Sequence, residues 1–437
     1  MADDLTVFWM LWMATLLVIV RTVVHSYVTD KNIYGAPFLF SLMFGYFYVF
    51  QTYVVATNLD YLLKPWMFEL GQALALVCFL AFLHGWKLAL KKGGNRVRII
   101  DKEPSLNYAR MWGFGIFAAL VAIVSMQFVD FRDEKYDYEG TSAYVYMLYH
   151  IGYPGILACV IAIVKDKRYQ SYLHKLILFA LCFGLTYVFF LTARRGPTFP
   201  IIIMVVYGFG LMQATKPKKL VLVTSILVIG AAMLVFPLVR NYSEGGMHAW
   251  NEESVQALSI ESVTVEKSKQ DGDNEALYHM GMVATATALG NYQYGTGYLS
   301  LLTHFIPRYL WPDKPNLGQG LFPWTPSLMP QVLGWQLSSG AAAGGVAETF
   351  MELGFLAPFL WFALGFAMGR RFVDVSSILK RAQFITILAG SHWLASQGVA
   401  AAFIPMLIYF LIITMIIKLS SRPGTARLTS TATRQRA

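Results

Sequence analysis

The chain has 437 residues, of which 56% are hydrophobic, 15% aromatic and only 14% charged, and its formal net charge is +10. These fractions exclude an ordinary soluble domain. The basic residues lie mainly in short segments that flank apolar runs, where insertion bias and anionic lipid account for them, so the charge does not indicate nucleic-acid binding. We therefore expect an all-α protein that crosses a membrane many times.

Apolar runs that could cross about 30 Å of hydrocarbon recur along the chain and predict about 11 transmembrane helices. The first run follows the acidic residues Asp3 and Asp4 without a basic region or a small-residue cleavage site. We therefore expect a retained span and no removable signal peptide. The predicted spans are 5–28, 33–56, 66–86, 107–128, 144–164, 174–192, 198–214, 219–239, 346–369, 382–397 and 401–418.

Lysine and arginine are distributed unevenly between the predicted loops. Cytoplasmic loops retain basic residues, so the side that holds most of them is expected to be the cytoplasm, with the N-terminus outside and the C-terminus inside. The acidic residues fall mostly on the other side. The basic clusters lie at 87–102, 165–168, 216–219, 370–381 and 422–436.

This arrangement predicts four regions. Residues 1–239 hold helices 1 to 8, 240–345 form one large periplasmic loop, 346–418 hold helices 9 to 11, and 419–437 form a disordered cytoplasmic tail. The three cysteines fall inside predicted spans and are expected to be small apolar residues without disulfides. They are Cys78, Cys159 and Cys182.

The large loop is the region with room for a site outside the membrane. We expect two helices in it, at 252–269 and 275–289, followed by a Pro/Trp-rich stretch at the membrane interface. The run FIPRYLWPDKPN, at 305–316, lies before that stretch and combines prolines with two cations. Proline fixes the backbone, so this segment is predicted to hold a defined geometry.

Four cations lie on the predicted outer side, although basic residues are usually retained on the cytoplasmic side. Arg194 and Arg195 lie in the short turn LTARRGPTFP, and Arg308 and Lys314 lie in FIPRYLWPDKPN. Arginine matches phosphate oxygens bidentately, which favours a site for a phosphorylated lipid head group. Interfacial anchors, or ion pairs with acidic loops, are the structural alternative.

The ninth span opens with GAAAGGVAETFMELGF, in which Glu348 and Glu352 share one helix face. Two carboxylates there repel each other, so either one is protonated or cations meet them. Ionisable residues within a membrane are candidates for function. A structural ion pair with Arg194 or Arg195 is the alternative.

No metal or cofactor site is predicted. The segment QDGDN is similar to the Asp-x-Asp metal pair of many glycosyltransferases, but Asp271 and Asp273 lie at a helix break, where an N-cap explains them better. The histidines show no metal-ligand spacing. His304, next to FIPRYLWPDKPN, and His392 remain candidates for proton transfer or for packing.

Two segments together resemble a known family. YGTGYLSLLTHFIPRYLWPDKPN and the later GGVAETFMELGF are similar to the Wzy-type polymerases of O-antigen and exopolysaccharide repeat units, and LTARRGPTFP resembles the other arginine-bearing outer loop of that family. A fixed arginine-to-glycine spacing described in some members occurs at neither Arg194, Arg195 nor Arg308.

The resemblance implies a GT-C-like glycosyltransferase in the bacterial inner membrane, with its active site facing the periplasm. It would polymerise undecaprenyl-diphosphate-linked glycans without a cofactor, working with a chain-length regulator and a flippase. The implied roles are diphosphate binding by Arg195 and Arg308, assisted by Arg194 and Lys314, and proton acceptance by Glu348 first, then His304, with Glu352 beside them. An O-antigen ligase, with the same donor, and a lipid-linked glycan flippase remain as alternatives.

Overall fold

The structure of the protein, a computed structural model, describes residues 5–28, 32–58, 63–93, 105–128, 145, 147–191, 198–213, 275–303, 306, 310, 311, 313, 322, 325–334 and 344–421. These residues are helical apart from turns, irregular segments and one isolated bridge between Leu106 and Ser421. The helices are α1 Thr6–Val28, α2 Ala36–Gly45, α3 Gln51–Asn58, α4 Pro65–Lys92, α5 Tyr108–Ser125, α6 Gly152–Lys165, α7 Tyr172–Leu191, α8 Thr198–Gln213, α9 Glu275–Leu289, α10 Thr296–Thr303, α11 Thr325–Leu333, α12 Gly345–Leu353, α13 Ala357–Val373, α14 Ile378–Gly390, α15 His392–Ser396 and α16 Val399–Ser420.

Seven stretches of the described residues are long and apolar enough to cross a membrane, so the predicted multi-span helical architecture is confirmed. The predicted number of about 11 is not confirmed. Two further apolar stretches are shorter, Tyr172–Tyr187 within α7 and Thr198–Gln213, which is α8, and the predicted span 219–239 lies outside the described residues. The predicted span 382–397 consists of α14 and α15, separated by a turn. The seven stretches are Thr6–Val28, Ala36–Thr57, Pro65–Lys92, Tyr108–Phe128, Met147–Lys165, Gly345–Val373 and Val399–Ser420.

Local sequence explains where several helices begin and end. Pro65 opens α4, where its missing N–H needs no partner, and Lys91 and Lys92 complement the negative end of the helix dipole. At α5 the side chain of Asn107 accepts hydrogen bonds from the first-turn N–H groups of Ala109 and Arg110. α9 has the bounds that the sequence predicts.

The chain divides into two compact units. The first comprises Met1–Asn95, Ile226–Val373 and Gly390–Pro405, and the second comprises Arg96–Ser225, Asp374–Ala389 and Met406–Ala437.

In the first unit, α4 and α13 run parallel and touch through glycines. A Cβ on Gly365 would overlap the carbonyl oxygen of Phe82, and one on Gly369 would lie 2.7 Å from the Cβ of Ala89. Contacts therefore advance in the same direction along both helices. Small residues let the two backbones approach closely, as is typical of helix pairs in membranes.

Aromatic side chains fill the space beside this pair. The ring of Phe44 lies 4.8 Å from that of Phe79 and 5.3 Å from that of Trp361, and the Phe40 and Phe82 rings stack at 4.5 Å. Burying each such side chain contributes roughly 1.5–3 kcal/mol. The pair and its aromatic filling form a rigid support for α12, which precedes α13 in the chain.

The second unit packs α5 against α6 in the antiparallel direction, again through glycines. A Cβ on Gly115 would meet the sulfur of Cys159 at 2.7 Å, and one on Gly152 would meet the Cβ of Ala122 at 2.6 Å. Cys159 and Cys78 are buried, Cys182 is half-buried, and all three thiols are free, as predicted.

Candidate functional site

Two glycines interrupt helices close to the paired carboxylates. Gly354 has φ 58° and ends α12, so the predicted ninth span is not one continuous helix. Gly398 has φ 118° and separates α15 from α16. Residues with a Cβ rarely adopt these conformations, which explains why glycine stands at each break. The breaks create new helix ends in the interior of the first unit, with N–H and C=O groups that need partners.

The carboxylate of Glu348 occupies the N-terminal end of α16. Oε1 accepts a hydrogen bond from the N–H of Ala400 at 3.1 Å, and Oε2 accepts one from the N–H of Val399, also at 3.1 Å. The hydroxyl of Tyr298 donates a third, to Oε2, at 3.1 Å. An anion is favoured at this end because the helix dipole is positive there. Both carboxylate oxygens of Glu348 are therefore engaged.

Glu352 lies one turn further along the same helix face and binds the start of α10. Its Oε2 accepts a hydrogen bond from the N–H of Gly297 at 3.1 Å. The side chain is buried. Among the described residues no group donates to its other oxygen, Oε1. Glu352 thus keeps one oxygen able to accept a proton or a hydrogen bond from a ligand.

The loop before α10 also donates backbone hydrogen bonds to the end of α12. The N–H of Gln293 donates to the carbonyl of Met351 at 2.8 Å, and the N–H of Gly295 donates to the carbonyl of Glu352 at 2.9 Å. Two of the unpaired carbonyls at the end of α12 are satisfied in this way. Backbone and side chain together fix α12 to residues more than forty positions earlier in the chain.

Tyr48 anchors the other end of α12. A π-helical turn, Tyr46–Phe50, joins α2 to α3 and contains this residue. Its hydroxyl donates to the carbonyl of Ala395 at 3.1 Å and accepts from the N–H of Val346 at 3.2 Å. A single phenol therefore ties the start of α12 to α15, and π-helical turns often occur at functional sites.

Close packing at the glycines leaves Glu348 little freedom. A Cβ on Gly398 would lie 2.6 Å from the carboxyl carbon of Glu348, and one on Gly345 would overlap the carbonyl of Leu394. Glycine at both positions is what allows the carboxylate to reach the backbone of α16.

The sequence offers two ways to hold paired carboxylates in an apolar region, protonation or a nearby cation, and the structure adds hydrogen-bond donors to these. Among the described residues the ion pairs lie elsewhere, at Asp166–Arg168 and Asp374–Lys380. Backbone N–H groups and Tyr298 donate to the carboxylates, and Arg194 and Arg195, the cations of the alternative, lie outside the described residues. Burial, and then the charges of Glu348 and Glu352, raise the pKa of the Tyr298 hydroxyl far above its ordinary value, so it remains a proton donor in this network.

The structure brings together two of the predicted site residues, Glu348 and Glu352. Apart from His392, the remaining ones lie outside the described residues, as do Asp271, Asp273 and the predicted helix 252–269. His392 is described and is buried in α15, with its ring 4.4 Å from that of Trp393. The site residues outside the described part are Arg194, Arg195, His304, Arg308 and Lys314.

Sequence analysis missed Tyr48, Gly297 and Tyr298. Gly297 and Tyr298 belong to YGTGYLSLLTHF, part of a segment that resembles Wzy-type polymerases, but no pattern in that segment indicates their contacts with the carboxylates. Within the described residues no group of three His, Cys, Asp or Glu side chains is arranged to hold a metal ion. The arrangement offers a buried proton acceptor at Glu352, beside a phenol donor and a helix end held by Glu348.

Comparison of the chain with protein-family models, with curated proteins and with solved structures found no match in any of the three.

Proposed function

We propose that this protein is a membrane glycosyltransferase that joins undecaprenyl-diphosphate-linked oligosaccharide repeat units into O-antigen or exopolysaccharide at the outer face of the bacterial inner membrane. The observation that carries the proposal is the contact between the two segments that resemble Wzy-type polymerases. Tyr298 and Gly297 of the first bind Glu348 and Glu352 of the second. Segments about fifty residues apart thus meet through buried carboxylates, which supports a common site.

The proposed reaction has two substrates, each carried on a lipid diphosphate. A hydroxyl at the non-reducing end of one glycan attacks the anomeric carbon of the other. The bond from that carbon to the diphosphate oxygen breaks, the hydroxyl proton passes to a carboxylate, and the lipid diphosphate leaves with the electron pair. The bond-breaking step has oxocarbenium character, so cations near the leaving oxygens would stabilise the transition state.

The geometry changes the order of the proposed proton acceptors. Glu348 is the first choice of proton acceptor from the sequence resemblance, but each of its carboxylate oxygens already accepts at least one backbone hydrogen bond. Glu352 retains an oxygen that no described group occupies, so we assign proton acceptance to Glu352 and a positioning role to Glu348. His304 remains the other proposed acceptor. Arg195 and Arg308 are proposed to hold the diphosphate, with Arg194 and Lys314 assisting.

Purified protein and a synthetic lipid-diphosphate repeat unit test the proposal. A ladder of products is expected, whereas single transfer, and only when lipid A core is supplied, would indicate the ligase instead. Glu352→Gln should lower the rate on the order of 10²-fold, as expected for loss of a general base. Its unfolding temperature should stay close to that of the unchanged protein. Glu69→Gln, in α4 of the same unit, is the matched control and should retain full activity.

One observation favours a second candidate, the lipid-linked glycan flippase. Interrupted helices such as α12–α13 and α15–α16 are common in transporters, where they line substrate paths. Reconstitution in liposomes separates the two candidates. Movement of a fluorescent lipid-linked glycan across the bilayer without any ladder would favour the flippase, and a ladder without movement would favour the polymerase.

A further inference from the structure

A cavity of about 500 Å³ lies in the first unit, between α1, the start of α2 and α4. α1 and α4 run parallel, because the Phe8 and Phe68 rings lie 5.4 Å apart and, further along, the side-chain amide of Gln72 donates to the hydroxyl of Thr15 at 2.9 Å. The cavity lies toward the C-terminal ends of these two helices. It is distant in sequence from the carboxylate site and plays no part in the proposed reaction.

Basic side chains from both helices line this cavity. Arg21 and His25 come from α1, and His84 and Lys87 come from α4. None of the residues that line it is acidic. The ion pairs among the described residues do not involve Arg21 or Lys87. Four basic side chains around one cavity repel each other when charged, and an anion between them removes that repulsion.

The depth of Arg21 also requires an explanation. It lies about two turns before the end of α1, within a stretch long and apolar enough to cross a membrane. An isolated arginine can extend to the interface along its own stem, which would explain one cation. That explanation does not account for four basic residues that line one cavity, with Thr22 and Ser26 beside them. Anion binding accounts for all of them.

The rest of the lining is apolar, which indicates what kind of anion fits. Val18, Leu80 and Leu83 contribute to the wall, and Leu80 is itself exposed on the surface of α4. Val24, on the outside of α1, is also exposed. Exposed apolar side chains on spanning helices are covered by lipid, so the cationic cavity borders the acyl-chain region. A soluble anion would not need this apolar border.

We propose that this cavity binds the phosphate of an anionic phospholipid, with Arg21 and Lys87 as its principal contacts and the apolar wall against the acyl chains. Anionic lipids attract basic residues near the membrane surface, and arginine pairs bidentately with phosphate. Lipid binding in this cavity is independent of the proposed polymerase activity.

Native mass spectrometry of the purified full chain in a non-ionic detergent tests the proposal. The unchanged protein is titrated with phosphatidylglycerol and, separately, with phosphatidylcholine. It should bind one phosphatidylglycerol, with an affinity roughly 10-fold or more above its affinity for phosphatidylcholine. The double variant R21Q/K87Q should bind it on the order of 30-fold more weakly, since two basic contacts are lost. R21K/K87R keeps both charges and should retain most of the binding.

The matched control is R110Q/K91Q, which removes one arginine and one lysine that are exposed and do not line the cavity. Its affinity should stay within about twofold, as expected for charges remote from the site. Equal loss in the control, or equal binding of the two lipids by the unchanged protein, would overturn the proposal. Displacement of the lipid by millimolar glycerol 1-phosphate would instead assign the site to a soluble phosphate. Equal binding of the two lipids by the unchanged protein overturns the proposal even if R21Q/K87Q fails to fold.

Discussion

The two halves of the stretch Gly345–Val373 are held in place by opposite means. α12 is held by side-chain oxygens, because Glu348 and Glu352 accept hydrogen bonds from backbone N–H groups of α16 and α10. α13 is held by the lack of side chains at Gly365 and Gly369, which face α4. Hydrogen-bonded carboxylates can exchange protons and partners, whereas close backbone packing cannot. Proton exchange is therefore possible at α12, whereas α13 serves as support.

The largest loss of stability is expected from Gly365→Ala. Its Cβ would overlap the carbonyl of Phe82, and backbone atoms cannot move aside as the end of a side chain can. Overpacking of this kind should lower the free energy of unfolding by about 3 kcal/mol. Thermal unfolding in detergent measures it.

Gly113→Ala is the control for that variant, since nothing lies within 4 Å of a Cβ at this position. Alanine there should raise stability by about 0.5–1 kcal/mol through helix propensity. If the two variants unfold alike, α13 is not supported by close contact with α4.

Next in size is Glu348→Ala, which leaves the N–H groups of Val399 and Ala400 without their partner. Unsatisfied buried donors should lower the free energy of unfolding by about 2 kcal/mol. Glu348→Gln keeps one acceptor oxygen and should lose roughly half as much. Chemical denaturation of the purified protein measures both.

Glu69→Ala removes a half-buried carboxylate from α4 and serves as the control, with an expected change within about 0.5 kcal/mol. A stable Glu348→Ala variant would show that α16 needs no anion at its start. The contrast between the two halves would then disappear.

A pH effect of similar size is expected at His279, which supports Tyr48 through a ring contact at 4.9 Å. Burial lowers the pKa of this histidine from 6.5 to about 4, although its hydrogen bond to Gly71 opposes the shift. The folded protein therefore binds fewer protons than the unfolded chain between these values, so stability falls as pH drops from 6.5 toward 4. At pH 5 the loss should be about 2 kcal/mol.

Unfolding curves at pH 7 and pH 5 measure this effect. His279→Gln should flatten the difference, and His174→Gln, which alters a half-buried histidine in α7, should leave it unchanged. A difference that survives His279→Gln would place the titrating group elsewhere.

The smallest effect is expected for Tyr298→Phe, which removes one donor to Glu348 and leaves the two backbone donors. A loss of about 1 kcal/mol is expected for a single buried hydrogen bond. In the double variant with Glu348→Ala the losses should not add, because both changes remove the same interaction. Fully additive losses would contradict the contact.

Much of the helical architecture can be predicted from the sequence because it depends on local patterns. Apolar runs predict the spans, and the bounds of α9 follow from its flanking polar residues. The i, i+4 spacing places Glu348 and Glu352 on one face before any contact is known. Each of these features depends only on residues that are close together in the sequence.

The partners of the carboxylates could not be predicted in the same way. Tyr298 lies about fifty residues before Glu348, and Val399 about fifty after it, so the contacts depend on how helices pack. A signal was present in the glycines: Gly354 directly follows α12, and Gly398 lies between α15 and α16. If both glycines are taken as helix breaks, the sequence predicts helix ends with unpaired backbone groups close to acidic side chains.

The glycine contact between α4 and α13 also affects how the protein is made. Gly85 is synthesised early, but its partner face on α13 emerges only after more than half of the chain has followed. Until then the groove on α4 has no native neighbour. Contacts between distant parts of a chain form late and leave intermediates open to misassembly. Chains that stop before α13 should therefore be recognised by membrane proteases and degraded, while those that reach Val373 can complete the groove.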